Sequence, residues 1–153
     1  MTNPAFEVIS RLQGKTLATA ESCTGGGIGA ALTAIAGASA VYKGGIISYC
    51  NEIKEKLLQV PREMLETYGA VSAPVAEAMA KGARHALCAD VAVSVTGLAG
   101  PSGDDFGNRV GTVFIGYADE KNCVFRRFLF EGNREEIQQQ AVSAALCLVL
   151  ENI

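Results

Sequence analysis

The chain of 153 residues has no tryptophan, four prolines and one histidine, His85. Its five cysteines (Cys23, Cys50, Cys88, Cys123 and Cys147) never form a C-x-x-C pair. With one histidine and scattered thiols there is no ligand cluster for a structural metal, so the expected metal and cofactor content is none. Charge is also scarce: charged residues are 19% of the chain, and the net charge of −3 leaves no basic stripe to neutralise phosphates. Nucleic acid is therefore not expected as a partner. Arg126-Arg127 is the one adjacent basic pair, and it reads as an exposed rung of a strand. No apolar stretch approaches the roughly 18 residues of a membrane span, so no membrane association is expected. Residues 1–12 include Pro4, Glu7 and Arg11 and do not read as a signal peptide. A cytoplasmic protein with reduced thiols fits these absences.

What is present is apolar. Hydrophobic residues make up 49% of the chain, enough for one domain over residues 1–153 with a substantial core and a surface partly covered by self-association into a homo-oligomer. Residues 4–13 read as a helix with Phe6, Val8, Ile9 and Leu12 on its apolar side. Residues 15–21 read as a strand, 25–36 as a helix, 44–50 as a strand and 51–58 as a polar helix. A short helix at 61–68 ends at Gly69, and Ser72 caps a longer one reaching Cys88, with Val75, Met79, Ala83 and Leu87 at helical spacing. His85 falls within it as an ordinary partly buried residue. Residues 90–95 read as a buried strand. Residues 110–118 and 123–130 form an antiparallel pair, and a last helix carries Ile137, Ala141, Ala144, Ala145 and Leu148 on one face. This order predicts a three-layer α/β/α domain with a mixed, partly parallel sheet. Ligands in such folds bind beyond the carboxyl ends of the parallel strands. Residues 22–27, 49–54 and 96–100 follow such strand ends.

The first of these loops carries the strongest local signal, Thr19-Ala20-Glu21-Ser22-Cys23-Thr24-Gly25-Gly26-Gly27. It sets two hydroxyls, a thiol and three glycines at a strand-to-helix turn. Glycine permits close backbone approach, and a helix start leaves N–H groups for an anion or an oxyanion. It matches neither the G-x-S-x-G elbow nor a P-loop, and hydroxyl residues before a helix also serve simply as caps.

Taken together, the loops resemble the CinA carboxy-terminal domain family, whose catalytic members are nicotinamide-nucleotide amidases. The resemblance rests on Ala20-Glu21-Ser22-Cys23-Thr24-Gly25-Gly26, on Ser48-Tyr49 with Asn51-Glu52 and Lys54, and on Gly69-Ala70-Val71-Ser72. It continues through Thr96-Gly97-Leu98-Ala99-Gly100-Pro101, Val110-Gly111-Thr112-Val113 and Gly132-Asn133-Arg134. It implies hydrolysis of the carboxamide of nicotinamide mononucleotide, a small-molecule nucleotide substrate, to nicotinic acid mononucleotide and ammonia. It further implies Ser22 as nucleophile, activated by Tyr49 and Lys54. Many members carry an additional amino-terminal domain with a separate activity, which is not carried over to this chain.

The residue chemistry agrees with those roles. A serine hydroxyl needs a base, and a lysine serves only if burial brings its amine below the ordinary value near 10.4. Without the resemblance, Lys54 also reads as a solvated charge beside Glu52, Glu55 and Lys56, and Tyr49 as a core residue alternating with Ile47 and Gly45. Substrate contacts are expected from Cys23, Thr24, Gly25 and Gly26 as an oxyanion site, and from Thr96, Gly97, Ala99 and Gly100 as a phosphate or ribose turn. Glu21 and Asn51 are expected to orient the site. Arg134 reads either as a phosphate anchor or as half of a structural salt bridge. The competing reading is a non-catalytic nucleotide-binding or regulatory module of the same fold. With no ligand cluster in the sequence, amide hydrolysis should survive chelation. Ammonia release before and after EDTA treatment checks this, and loss restored by a divalent ion would overturn it.

Overall fold

A computed structural model describes residues 3–153. Helix α1 (Pro4–Arg11) precedes strand β1 (Leu17–Glu21), helix α2 (Gly27–Thr33), a 3-10 turn (Ala38–Ala40) and strand β2 (Tyr42–Ile47). Helices α3 (Asn51–Leu58), α4 (Arg62–Tyr68) and α5 (Ala73–Ala86) follow, then strands β3 (Val91–Gly97), β4 (Thr112–Ala118) and β5 (Cys123–Leu129), and helix α6 (Arg134–Asn152). The sheet order is β2-β1-β3-β4-β5. β1 runs parallel to both β2 and β3, while β3–β4 and β4–β5 are antiparallel. The expected three-layer mixed sheet is present.

Alternation along the strands sorts the two layers. Leu17, Val93, Val95, Val113 and Ile115 face α1, α2 and α6 in one core. Ala18, Ala20 and Ala92 face α3, α4 and α5 in the other. The second layer is built from small residues so that α5 lies almost on the sheet. Ser94 Oγ donates to Ala76 O at 2.5 Å. A Cβ on Gly116 would stand 2.4 Å from Ala76 O, and one on Gly82 would stand 2.0 Å from Leu58 O. At these two positions glycine is required by main-chain contact.

Several element ends differ from the sequence reading. α2 starts at Gly27 because Gly26, at φ +103°, closes the preceding turn in the left-handed region. β2 begins at Tyr42 and stops at Ile47, so Tyr49 lies beyond the strand and is exposed. The core reading of Tyr49 fails for that reason. Ser72 stands at the cap position of α5, but its hydroxyl donates to Gly69 O at 2.9 Å instead of to the helix. Phe6 is exposed and Ala5 is buried in its place. His85 is exposed at the last turn of α5, not partly buried. Arg126 and Arg127 are exposed rungs as expected, Arg126 pairing with Glu151 at 2.6 Å.

The tight α5 contact gives a stability prediction. Gly116→Ala should destabilise the fold by about 1–3 kcal/mol, since backbone carbonyls cannot yield to the added methyl. The measurement is the urea midpoint of the variant beside wild type. An unchanged midpoint would show that α5 can shift away.

Candidate functional site

The end of β1 is where the two sheet faces diverge. Glu21 turns toward α2, and its buried carboxylate accepts from Thr24 Oγ1 at 2.7 Å, Ile28 N at 2.8 Å and Gly29 N at 2.9 Å. The first N–H groups of α2 are thus satisfied by the protein's own carboxylate and are not free for a substrate anion. Glu21 and Thr24, expected near substrate, are consumed in holding the turn. Ser22 follows on the opposite side of the sheet and is buried at the base of a cleft.

Lys54 reaches that cleft from the first half of α3, on the same helix side as Leu58. Its side chain is 1% exposed, which removes the solvated-charge reading. Its Nζ lies 3.0 Å from Ser22 Oγ and 2.6 Å from Ser48 O. Burial pulls the amine from 10.5 down to about 8. A neutral amine here can donate to the Ser48 carbonyl and accept the Ser22 hydroxyl proton. Ser48 itself is pinned to the nucleophile's strand, its N–H donating to Glu21 O at 2.7 Å and its Oγ to the same atom at 3.3 Å. Lys54 and the end of β1 that bears Ser22 are therefore linked through two successive main-chain carbonyls, those of Ser48 and Glu21.

Cys23 is not a rival nucleophile. Its side chain packs in the core, and burial pushes the thiol up to about 12. Its carbonyl is held by Gln138 Nε2 at 2.9 Å. Gly25 N–H closes the turn onto Ser22 O at 3.1 Å. Among the described residues the N–H groups of Cys23, Thr24 and Gly26 have no acceptor, and of these three residues only Cys23 lines the cleft.

The cleft encloses about 330 Å³ and includes Tyr49, Asn51, Val71, Leu98, Pro101 and Arg134 in its lining. Its second wall is formed by Thr96, Gly97, Ala99 and Gly100, the turn expected to face a ligand. Thr96 Oγ1 donates to Ala70 O at 2.8 Å, tying β3 to the segment before α5. A Cβ on Gly97 would meet Val113 Cγ2 at 2.6 Å, and Ala99 belongs to the core. These residues shape the wall by packing. Gly100 contributes its carbonyl, which accepts from Arg134 Nη1. Arg134 Nη2 donates to the Tyr49 hydroxyl at 2.8 Å. Both acceptors are neutral, and among the described residues Arg134 makes no ion pair, so the salt-bridge alternative is not realised. Tyr49 is bonded to Arg134 and not to Lys54.

The lining holds two cations, Lys54 and Arg134, and no carboxylate. A larger cavity of about 410 Å³ lies at the opposite end of the parallel strands, beside Lys15, Asp90 and Val91, away from Ser22. Sequence reasoning missed Ser48 and Gln138. Ser48 acts through a carbonyl, which leaves no side-chain signal. Gln138 was findable, since it stands one turn after Arg134 on α6.

The buried amine generates a stability prediction. Below pH 8 Lys54 is charged in both folded and unfolded chains, and the fold carries the full desolvation cost. Between pH 8 and 10.5 the folded amine is neutral while the unfolded one stays charged, so stability rises with pH across that window. Relative to Lys54→Met, wild type should gain up to about 3 kcal/mol across it. Urea titrations of both proteins at several pH values test this; a constant difference would contradict it.

Comparison with known proteins places the chain in a family. The family model of the CinA C-terminal domain matches residues 3–153. A CinA-like protein of Geobacter sp. (strain M21) is 50% identical over 131 residues, covering 86% of this chain and 32% of the relative. One from Parasynechococcus marenigrum (strain WH8102) is 48% identical over 146 residues, covering 93% of this chain and 35% of the relative. The chain thus spans about a third of the length of these curated relatives. Among solved structures, a competence-damaged protein (CinA) superfamily protein from Escherichia coli superposes with a TM-score of 0.96 at 35% identity, covering 99% of this chain and 89% of that one. A competence/damage inducible protein from Agrobacterium tumefaciens gives 0.90 at 37% identity, covering 99% and 96%. The Ser22–Lys54 cleft therefore sits in a member of the CinA C-terminal domain family, to which this chain belongs.

Proposed function

We propose that the chain is a serine amidohydrolase that converts nicotinamide mononucleotide to nicotinic acid mononucleotide and ammonia. The observation that carries this reading is the buried Lys54 amine 3.0 Å from Ser22 Oγ, with a depressed proton affinity. A binding module has no use for such a pair, because burying an amine beside a hydroxyl costs stability and adds no recognition. The choice of substrate rests on the family resemblance, together with an uncompensated Arg134 suited to a phosphate monoester.

In this mechanism neutral Lys54 takes the Ser22 proton as Oγ attacks the carboxamide carbon. The carbonyl oxygen becomes an oxyanion that the Cys23 N–H, an unbonded main-chain donor in the cleft lining, is suited to meet. Protonated Lys54 then gives its proton to the amide nitrogen, the C–N bond breaks and ammonia leaves. A water molecule, deprotonated by the again neutral Lys54, attacks the acyl ester. Its collapse frees the acid and restores the Ser22 hydroxyl. Tyr49, at the cleft mouth, assists proton transfer or aligns the amine. Asn51, at the start of α3, orients the substrate.

Purified protein should release ammonia from nicotinamide mononucleotide, and a folded Ser22→Ala variant should lose several orders of magnitude in rate. In wild type, kcat/KM should rise with pH through an ionisation near 8, because the neutral amine is the base. Lys54→Arg keeps the charge and cannot accept the proton, so it should be nearly inactive throughout. Substantial activity in either variant with an unchanged pH profile would defeat the serine–lysine mechanism.

A further inference from the structure

Arg134, at the exposed rim of the cleft, meets no carboxylate among the described residues. Its two terminal nitrogens are occupied by neutral acceptors, the Gly100 carbonyl and the Tyr49 hydroxyl. Tyr49 is 63% exposed, and the bond from Arg134 is the one hydrogen bond its hydroxyl makes among the described residues. Its backbone directly follows Ser48, whose carbonyl holds Lys54. Tyr49, Arg134, Ser22 and Lys54 all line the same 330 Å³ cleft. Tyr49 is exposed, so no core packing holds its ring against Arg134.

An oxyanion is a far better partner for a guanidinium than a phenol is. The bond to Tyr49 has one charged partner, whereas a phosphate oxyanion supplies the second charge and lets a forked pair use the two nitrogens together. A phosphate monoester arriving at Arg134 therefore competes with Tyr49 for Nη2. We propose that Arg134 is a positioning residue that exchanges the Tyr49 hydroxyl for the phosphate of the substrate, releasing Tyr49 toward the Ser22–Lys54 pair. This rests on the amidase reading of the cleft, and it gives the phosphate a part in assembling the site beyond affinity. A ligand shifts such an equilibrium only through its preference for one arrangement, which here is the freed guanidinium fork.

Linkage makes the exchange measurable without turnover. Protein labelled with 3-fluorotyrosine shows Tyr49 as the fluorine line missing from Tyr49→Phe. Inorganic phosphate should move that line saturably in wild type and leave it unmoved in Arg134→Gln. Calorimetry should find phosphate bound about threefold or more tightly by Tyr49→Phe, since the competitor is gone. Arg134→Lys, which keeps the charge without the fork, should respond only weakly and guards against a misfolded Arg134→Gln. In turnover, nicotinamide riboside should be a poorer substrate by at least about tenfold in kcat/KM, and added phosphite should raise its rate in wild type but not in Tyr49→Phe. A Tyr49 line that stays put, one that moves equally in Arg134→Gln, or weaker phosphate binding by Tyr49→Phe would each overturn the exchange. Absence of hydrolysis of both amides would instead defeat the amidase reading, and the fluorine and calorimetric measurements would still decide the exchange.

Discussion

The rest of the site depends on the carboxylate of Glu21. It lies buried where an unpaired charge would be costly, and three donors from the turn and the first residues of α2 satisfy it. Those bonds fix the path of residues 22–27. The main-chain carbonyl of the same residue receives Ser48, and the Ser48 carbonyl receives Lys54. One residue thus joins the strand that bears Ser22, the helix behind it and Lys54 opposite.

Burial of Lys54 is tolerable because of this frame. An amine cut off from water favours its neutral form, and one carbonyl acceptor suits a group that must also accept a proton. More acceptors, or a carboxylate in the lining, would hold the ammonium and silence the base. The cleft lining contains no carboxylate. The carboxylate next to Ser22 in sequence, Glu21, is turned to the other face of the sheet and engaged with α2. The same alternation that sorts core residues between layers keeps acid and base apart.

Much of this was legible in the sequence, and the reasons are specific. Strong periodicity and turn residues located every helix and strand, with ends shifted by a few residues. The Ala20–Gly26 block and the Ser48–Lys54 block placed Ser22 and Lys54 together only through resemblance, since 32 residues separate them and no spacing rule predicts contact. The anion-binding character of the first turn did not hold, because Glu21 reads in sequence as one more polar residue before a helix. Its side-chain direction follows only once β1 is seen to end there. Thr96 and Gly97, expected as ligand contacts, do line the cleft, and packing and a hydrogen bond to Ala70 O fix where they stand. Tyr49 was assigned to a strand face that ends two residues earlier.

The close seating of α5 on the sheet has a bearing on selectivity. Ala70 and Val71, just before that helix, form one side of the cleft, and Thr96 ties the sheet to Ala70. With main-chain atoms already touching at Gly116 and Ala76, this side has no slack to retreat when a bulkier ring arrives. Adaptation to different guests is therefore left to the opposite rim, where Tyr49, Gly100 and Arg134 are joined by hydrogen bonds alone. The cleft thus has one side fixed by main-chain packing and one rim held together by hydrogen bonds alone.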